Sequence, residues 1–444
     1  MFNKKILVPL LVVVVLLGVL LAVTMLGGNN ENNGDISYEP GDDYTINYIF
    51  DVDSETINRI KIKLTEEEFT LVKTDDTWAL AGSPNTSIST SSVNSLASSI
   101  AEISYDELID DGSIKPEDCL INEESSYVSF ESELGEITLT LGMTTTDGTL
   151  CYVSTNLTDG IYLAHSDSVA PVFAPLKAYR NSASLRVDIE NLDTVEYSGT
   201  EKFVIKKGNT NKDKADFNSW KITSPLKIAA NDEAVNNKII EPLKQIKIVD
   251  FASDNGDFSS YGLGGKNKYI ALTDADGKKQ KIYFSGQTAG KYYIRIDDNK
   301  TIYEVSLSDN PYIALKTIDL ADRNITLTKM TYIKNVIIDG SKDYKIDFFG
   351  DKGIINGREI AYNTLNQSVF PALCGLMADD IYLGSQNGGE IMITFNYNDN
   401  TPSDVVIFAS HNDRYYSVSK NGSVKYLILK SKISDLQKLL DEAK

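Results

Sequence analysis

The sequence predicts an α+β protein in which an N-terminal transmembrane helix precedes three tandem repeats, each a hairpin, a helix and an antiparallel β-meander. Three observations carry that prediction. Trp78, Pro84, Tyr152 and Tyr162 return as Trp220, Pro225, Tyr293 and Tyr303, displaced by 142, 141, 141 and 141 residues, in a chain with only two tryptophans. Tyr292-Tyr293 and Tyr303 return once more as Tyr415-Tyr416 and Tyr426, each displaced by 123. Self-similarity of this kind marks one supersecondary unit used repeatedly. Third, Ile6 to Leu26 is apolar except at Pro9, Gly18 and Thr24. The resulting plan is a cytoplasmic tip and anchor at 1–28, a flexible linker at 29–48, and repeats at 49–182, 183–324 and 325–444, the last degenerate and closed by a helix.

As a helix the apolar run spans about 31 Å, the thickness of a bilayer's hydrocarbon core. Lys4 and Lys5 precede it, and only acidic charge follows between Asn29 and Asp43. The positive-inside bias puts the N-terminus in the cytoplasm and the remainder outside. A cleaved signal would have a shorter apolar region and a small-residue cleavage site, and no A-x-A triplet closes this run. Gly27 to Asp43, rich in Asn, Gly and Asp, reads as a spacer.

In the first repeat, Arg59 to Leu64 alternates with period two and is answered by Phe69 to Lys73, a turn at Thr74 to Thr77, and Trp78 to Leu80. Val93, Leu96, Ala97, Ile100 and Ile103 share a helical face, with Ser89, Thr90 or Ser91 as N-cap. Strands follow at Tyr127 to Phe130, Glu136 to Leu141, Cys151 to Ser154 and Gly160 to Leu163. The second repeat keeps this order: Phe203 to Ile205, Trp220 to Ile222, a helix through Val235, Ile239, Leu243 and Ile246, then four strands from Tyr269 to Val305. The third has strands at Asn335 to Ile338 and Tyr344 to Phe348, a helix near Leu365 to Met377, and four strands from Glu390 to Leu429. Pro242 and Pro371 should kink or restart their helices. Brief helices at Val169 to Tyr179 and Pro311 to Leu320 lead into Arg180-Asn181 and Arg323-Asn324, and Ile433, Leu436, Leu439 and Leu440 line a last helix that packs on the third repeat.

Little is left for chemistry. His165 and His411 have no metal-ligand neighbour pattern, and there is no G-x-S-x-G elbow. Tyr261-Gly262-Leu263-Gly264-Gly265 lacks the spacing of a phosphate loop and reads as a turn. Asp274-Ala275-Asp276-Gly277 opens like a calcium loop but has Ser285 where the twelfth ligand belongs, so a hairpin turn is expected. Acidic residues at Asp106 to Asp111 and Asp254 to Asp257 could hold a cation only loosely. Cys119, Cys151 and Cys374 cannot make a disulfide framework, and Cys151 reads as a buried apolar residue. Tyr152, Tyr293 and Tyr416 could stack on sugars, yet their recurrence at one repeat position points to packing. A net charge of −20 disfavours nucleic acid and anionic surfaces. No catalytic, cofactor or metal residue is assigned.

The residues Lys73, Trp78-Ala79-Leu80, Pro84, Val93 and Leu96, with Lys206, Trp220-Lys221-Ile222, Pro225, Tyr261-Gly262-Leu263, Tyr292-Tyr293-Ile294 and Ile302-Tyr303, resemble the domain-of-unknown-function 4340 family of bacterial membrane-anchored proteins. The resemblance covers most of residues 50 to 320; the third repeat departs from it, lacking the Trp and the Tyr-Gly-Leu. Such proteins often accompany ABC-transporter components and auxiliary proteins of gliding-motility type. The resemblance implies a membrane-complex role and carries over no catalytic residues. Taken with the anchor, the repeats and the missing catalytic constellation, the expectation is a non-enzymatic, extracytoplasmic interaction module accessory to an ABC-type transport complex. The alternative is a surface protein binding a glycan or peptide in grooves between repeats.

Overall fold

The computed structural model describes residues 46–208, 218–265, 268–288, 290–350, 352–399 and 401–443. The expected anchor, and the expected linker up to residue 45, lie outside the described residues. Among the described residues no helix is long and apolar enough to cross a membrane. Two compact units divide between Ser182 and Ala183. The fold is α+β, built on three nine-stranded antiparallel sheets.

The first unit holds β1 (Asn47–Tyr48), β2 (Arg59–Lys63), β3 (Glu68–Thr74), β4 (Thr77–Leu80), β5 (Ser104–Ile109), β6 (Tyr127–Ser132), β7 (Gly135–Thr144), β8 (Leu150–Thr155) and β9 (Ile161–His165). Their order across the sheet is β1-β5-β9-β8-β7-β6-β2-β3-β4. The last two residues of the expected linker, Asn47 and Tyr48, are therefore an edge strand paired with Tyr105 and Ser104.

In the second unit, one sheet contains β10 (Leu192–Ser198), β11 (Lys202–Lys207), β12 (Trp220–Ser224), β13 (Ile228–Ala229), β14 (Asp250–Ser253), β15 (Tyr269–Asp274), β16 (Lys279–Phe284), β17 (Tyr292–Ile296) and β18 (Ile302–Val305). The other contains β19 (Ile333–Asp339), β20 (Tyr344–Phe349), β21 (Lys352–Ile355), β22 (Arg358–Ile360), β23 (Asp380–Ile381), β24 (Ile391–Tyr397), β25 (Asp404–Ser410), β26 (Tyr415–Lys420) and β27 (Ser423–Leu429). Their orders are β14-β18-β17-β16-β15-β10-β11-β12-β13 and β23-β27-β26-β25-β24-β19-β20-β21-β22. Eight strands hold the same places in all three sheets. The ninth differs: β1 extends the first sheet beyond β5, whereas β13 and β22 extend the others at the opposite edge.

Hairpin and meander are not separate layers, as a reading of hairpin, helix and meander would allow. They fuse along one antiparallel seam, with Ile60 opposite Phe130, Val195 opposite Leu272 and Val336 opposite Phe395. The strand after each helix (β5, β14, β23) returns to pair with the last meander strand. These strands are short or acid-containing and lack a run of β-branched residues, so their sequences carry little strand signal.

One face of each sheet is covered by a helix. In the first unit α1 (Thr90–Ala101), capped by the Ser89 hydroxyl accepting from the Ser92 N–H, buries Val93, Leu96, Ala97 and Ile100. They pack with Ile60, Ile62, Leu71, Val128 and Val153 in one core. Residues 232–244 form α2 and 362–374 form α3. Both run unbroken through a π turn, Asn236–Ile240 and Leu365–Val369, placed just before Pro242 and Pro371. A proline lacks an N–H and its ring crowds the carbonyl four residues back; the wider π turn, with Glu241 N–H reaching Asn236 O, relieves that crowding without a break. The expected kink or restart is thus replaced by a local widening. The last helix, α4 (Lys430–Glu442), buries Ile433, Leu436 and Leu440 in the third core, while Leu439 stays half-exposed.

One expected equivalence is off by a residue. Tyr162 lies opposite Val153, Tyr303 opposite Ile294, and Tyr426 opposite Val418. The partner of Tyr293 in the third repeat is therefore Ser417, not Tyr416. A register irregularity between Val418 and Ser419 accompanies the shift, and a one-residue slip sends a side chain to the other face. Tyr416 accordingly packs on the main core, with its ring centroid 6.3 Å from that of Phe408. Tyr152 and Tyr293 point the other way, into small clusters with Cys119, Ile121 and Ile161, and with Leu263 and Ile302.

Candidate functional site

The residues singled out by sequence are held in local structure. His165 ends β9, where its Nε2 lies 2.9 Å from Asp106 on the neighbouring β5. The His411 ring meets that of Tyr382 edge-on, with centroids 4.9 Å apart. Asp254 accepts a hydrogen bond from the Thr301 hydroxyl at 3.0 Å, and Asp257 one from the Ser260 hydroxyl at 2.5 Å. Asp274 is buried, and its carboxylate accepts the N–H groups of Asp188 and Lys278 at 3.0 and 2.9 Å. Those donors hold it below the ordinary carboxylate range despite burial. The turn it begins closes through Gly277 at φ 81°. Tyr261-Gly262-Leu263 is likewise a turn: Gly262 has φ 70°, and Leu263 buries beneath Tyr293.

All three cysteines are buried and free. Burial pushes the Cys151 thiol up to about 11 and that of Cys374 up to about 12. They serve as apolar filling. Among the described residues, no group of three or more His, Cys, Asp or Glu side chains is disposed to hold a metal ion.

A concave site exists elsewhere. Within the second unit the edge strand β13 faces the β26–β27 hairpin, and between them lies a cavity of about 390 Å³. One wall is Ile228, Ala229, Asn324 and Ile325; the other is Val418, Lys420, Asn421, Ser423, Lys425 and Tyr426. The walls are fixed to one another. Tyr426 donates its hydroxyl to the Asp322 carbonyl at 3.0 Å. Its ring and Ile381 pack against the second repeat's core, and Ile318 touches both cores. The hairpin closes through Asn421 at φ 51° and Gly422 at φ 79°, the left-handed pair that a two-residue turn requires.

The two lysines differ in environment. Lys420 Nζ lies 3.1 Å from Asp404 Oδ2. That carboxylate also accepts from Tyr397 Oη at 3.0 Å and Asn421 Nδ2 at 2.8 Å. Burial alone would raise Asp404, but Asn421, Lys420 and Tyr397 outweigh it and hold the group below its usual range. Lys425, by contrast, has no acidic partner among the described residues. Burial, and then the neighbouring Lys420 charge, hold its ammonium below the usual lysine range. Sequence reading missed this site. The available signal was Val418 to Lys425, where two lysines flank an Asn-Gly turn in a strongly acidic chain.

Fold and cleft together define a tandem-repeat α+β protein whose second and third repeats share a lined cavity. A family model described as Domain of unknown function (DUF4340) matches residues 78–218 and 220–384, and the chain belongs to that family. Both matches open on a repeated tryptophan, Trp78 in β4 and Trp220 at the start of β12, and the second extends into the third repeat. No curated protein and no solved structure matches the chain.

Proposed function

We propose that this protein is a non-enzymatic, single-pass membrane protein whose three repeats form an extracytoplasmic interaction module, accessory to an ABC-type transport complex. The observation that carries this reading is the Ile6 to Leu26 run, with Lys4-Lys5 before it and an acidic flank after it, leading to a body built on repeated sheets. His165 with Asp106, and Asp254, Asp257 and Asp274, hold strands and turns together, which supports a scaffold. Cross-linking and affinity purification of the full chain from native membranes should recover a permease or its ATPase. Repeated recovery of a lone monomer would contradict the proposal.

A second reading is a surface protein that binds a glycan or peptide, and the cleft between the second and third repeats favours it. At about 390 Å³ it falls within the range of ligand pockets. Calorimetry of the full chain in detergent against wall oligosaccharides and short peptides tests this reading, and flat responses throughout would remove it.

A further inference from the structure

Resting on the second reading, that the cleft between β13 and the β26–β27 hairpin binds a ligand, we infer that its ligand is a small organic carboxylate with an apolar body. The charge balance selects the head group. Lys420 is neutralised by Asp404, and Asp404 is itself filled by Tyr397 and Asn421. The Lys425 ammonium is left as the uncompensated charge among the described residues lining the cleft. One unpaired ammonium matches one negative charge, so a monocarboxylate balances it where a phosphate dianion would leave a charge over.

The donors near the head group suit the same choice. Ser423 lies between Asn421 and Lys425 on the hairpin, and its hydroxyl can donate to the second carboxylate oxygen. The Asn421 amide is occupied, donating to Asp404 and accepting from the Val405 N–H at 2.8 Å. The rest of the lining is Ile228, Ala229, Ile325, Val418 and the Tyr426 ring, together with Asn324, whose side-chain N–H is already donated to the Asp322 carboxylate at 2.7 Å. Tyr426 has already spent its hydroxyl on the Asp322 carbonyl, so it offers a face rather than a donor. A sugar would find few free hydrogen-bonding groups on these walls, whereas a branched aliphatic group would bury against them. The cleft is open on one side, so the carboxylate could belong to a free acid or to a peptide's C-terminus.

The test is calorimetric titration of the full chain in detergent with 4-methylpentanoate and with N-acetyl-leucine, set against N-acetyl-leucinamide, inorganic phosphate and a neutral oligosaccharide. Binding of either carboxylate, with the amide at least about tenfold weaker, is expected. Preference for N-acetyl-leucine assigns a peptide end, and preference for 4-methylpentanoate a free acid. Lys425→Met keeps the apolar stem and should weaken carboxylate binding by about tenfold or more, while Lys425→Arg restores most of it. Thermal unfolding of each variant shows that a loss of binding is not a loss of fold. Equal binding of acid and amide, or Lys425→Met binding like wild type, overturns the inference. Oligosaccharide binding without carboxylate binding also overturns it while leaving the cleft a binding site. Silence toward every probe removes both.

Discussion

Trp78 donates its indole N–H to the side-chain oxygen of Asn94 at 2.8 Å, tying the edge strand β4 to the middle of helix α1. The same strand is held at its backbone, where the Trp78 N–H meets the Thr90 hydroxyl at 3.3 Å; in the second repeat the Trp220 N–H meets the Asp232 carboxylate at 2.9 Å. Thr90 and Asp232 occupy one position, the first residue of the helix, so a polar side chain there is part of the repeated unit. Asn94→Leu should strand the nearly buried indole N–H and destabilise the first unit by about 1–3 kcal/mol, whereas Trp78→Ala should cost about 3–5 kcal/mol. Urea unfolding followed by tryptophan fluorescence of the N94L protein, and by circular dichroism of the W78A protein, measures both.

The seam between hairpin and meander makes a second prediction. Phe130 and Phe395 occupy equivalent positions, opposite Ile60 and Val336, and both are almost fully buried. Phe130→Ala and Phe395→Ala should each destabilise their own repeat by about 3–5 kcal/mol. Exchange of the amides of β6 and β24, respectively, should quicken. Unchanged exchange at either seam would show that the strands do not meet there.

Thiol chemistry follows from burial. With Cys151 pushed up to about 11 and Cys374 up to about 12, both are protonated at pH 8 in the folded chain, and the thiolate is the reactive form. Iodoacetamide should label neither in the native protein but all three cysteines in urea, as counted by mass spectrometry. Rapid native labelling of Cys151 would contradict its place in the first core.

The C-terminal helix carries an acid-sensitive contact. Asp441 is held below its usual range by the Lys342 ammonium and the Tyr344 hydroxyl, the latter 3.0 Å away. A carboxylate depressed on folding stabilises above its unfolded pKa, and that stabilisation is lost as pH falls through the folded value. Loosening of α4 is therefore expected below about pH 4. Asp441→Asn should be less stable near neutrality and lose less on acidification, read by exchange in α4 across the pH range.

The repeat was legible because its markers are bulky and placed by strand geometry: Trp78 and Trp220, Tyr162 and Tyr303 sit at the same points of equivalent strands. Helical periodicity revealed α1, since Val93, Leu96, Ala97 and Ile100 all face one sheet. Edge strands escaped notice. Ser104 to Ile109 contains Asp106 and Glu107, which a pattern search takes for a solvated loop. They lie past the two residues that β1 pairs, where the outer side of the strand is open among the described residues and tolerates charge. The slip at Tyr416 was hidden because two adjacent tyrosines fit either register, and only the pairing of Tyr426 with Val418 resolves it. The cleft was hidden for another reason. Ile228 and Lys425 are nearly 200 residues apart, and no local pattern in either segment announces the other.

The orientation across the membrane is the claim on which the proposed role most depends, and burial of the native thiols makes it measurable. Leu134 is exposed at the tip of the β6–β7 hairpin, so Leu134→Cys adds one accessible thiol to a chain whose own three are buried. Intact cells producing this variant should be labelled by a membrane-impermeant maleimide, with no further gain on lysis. Labelling that appears only after lysis would place the repeats in the cytoplasm and contradict the account.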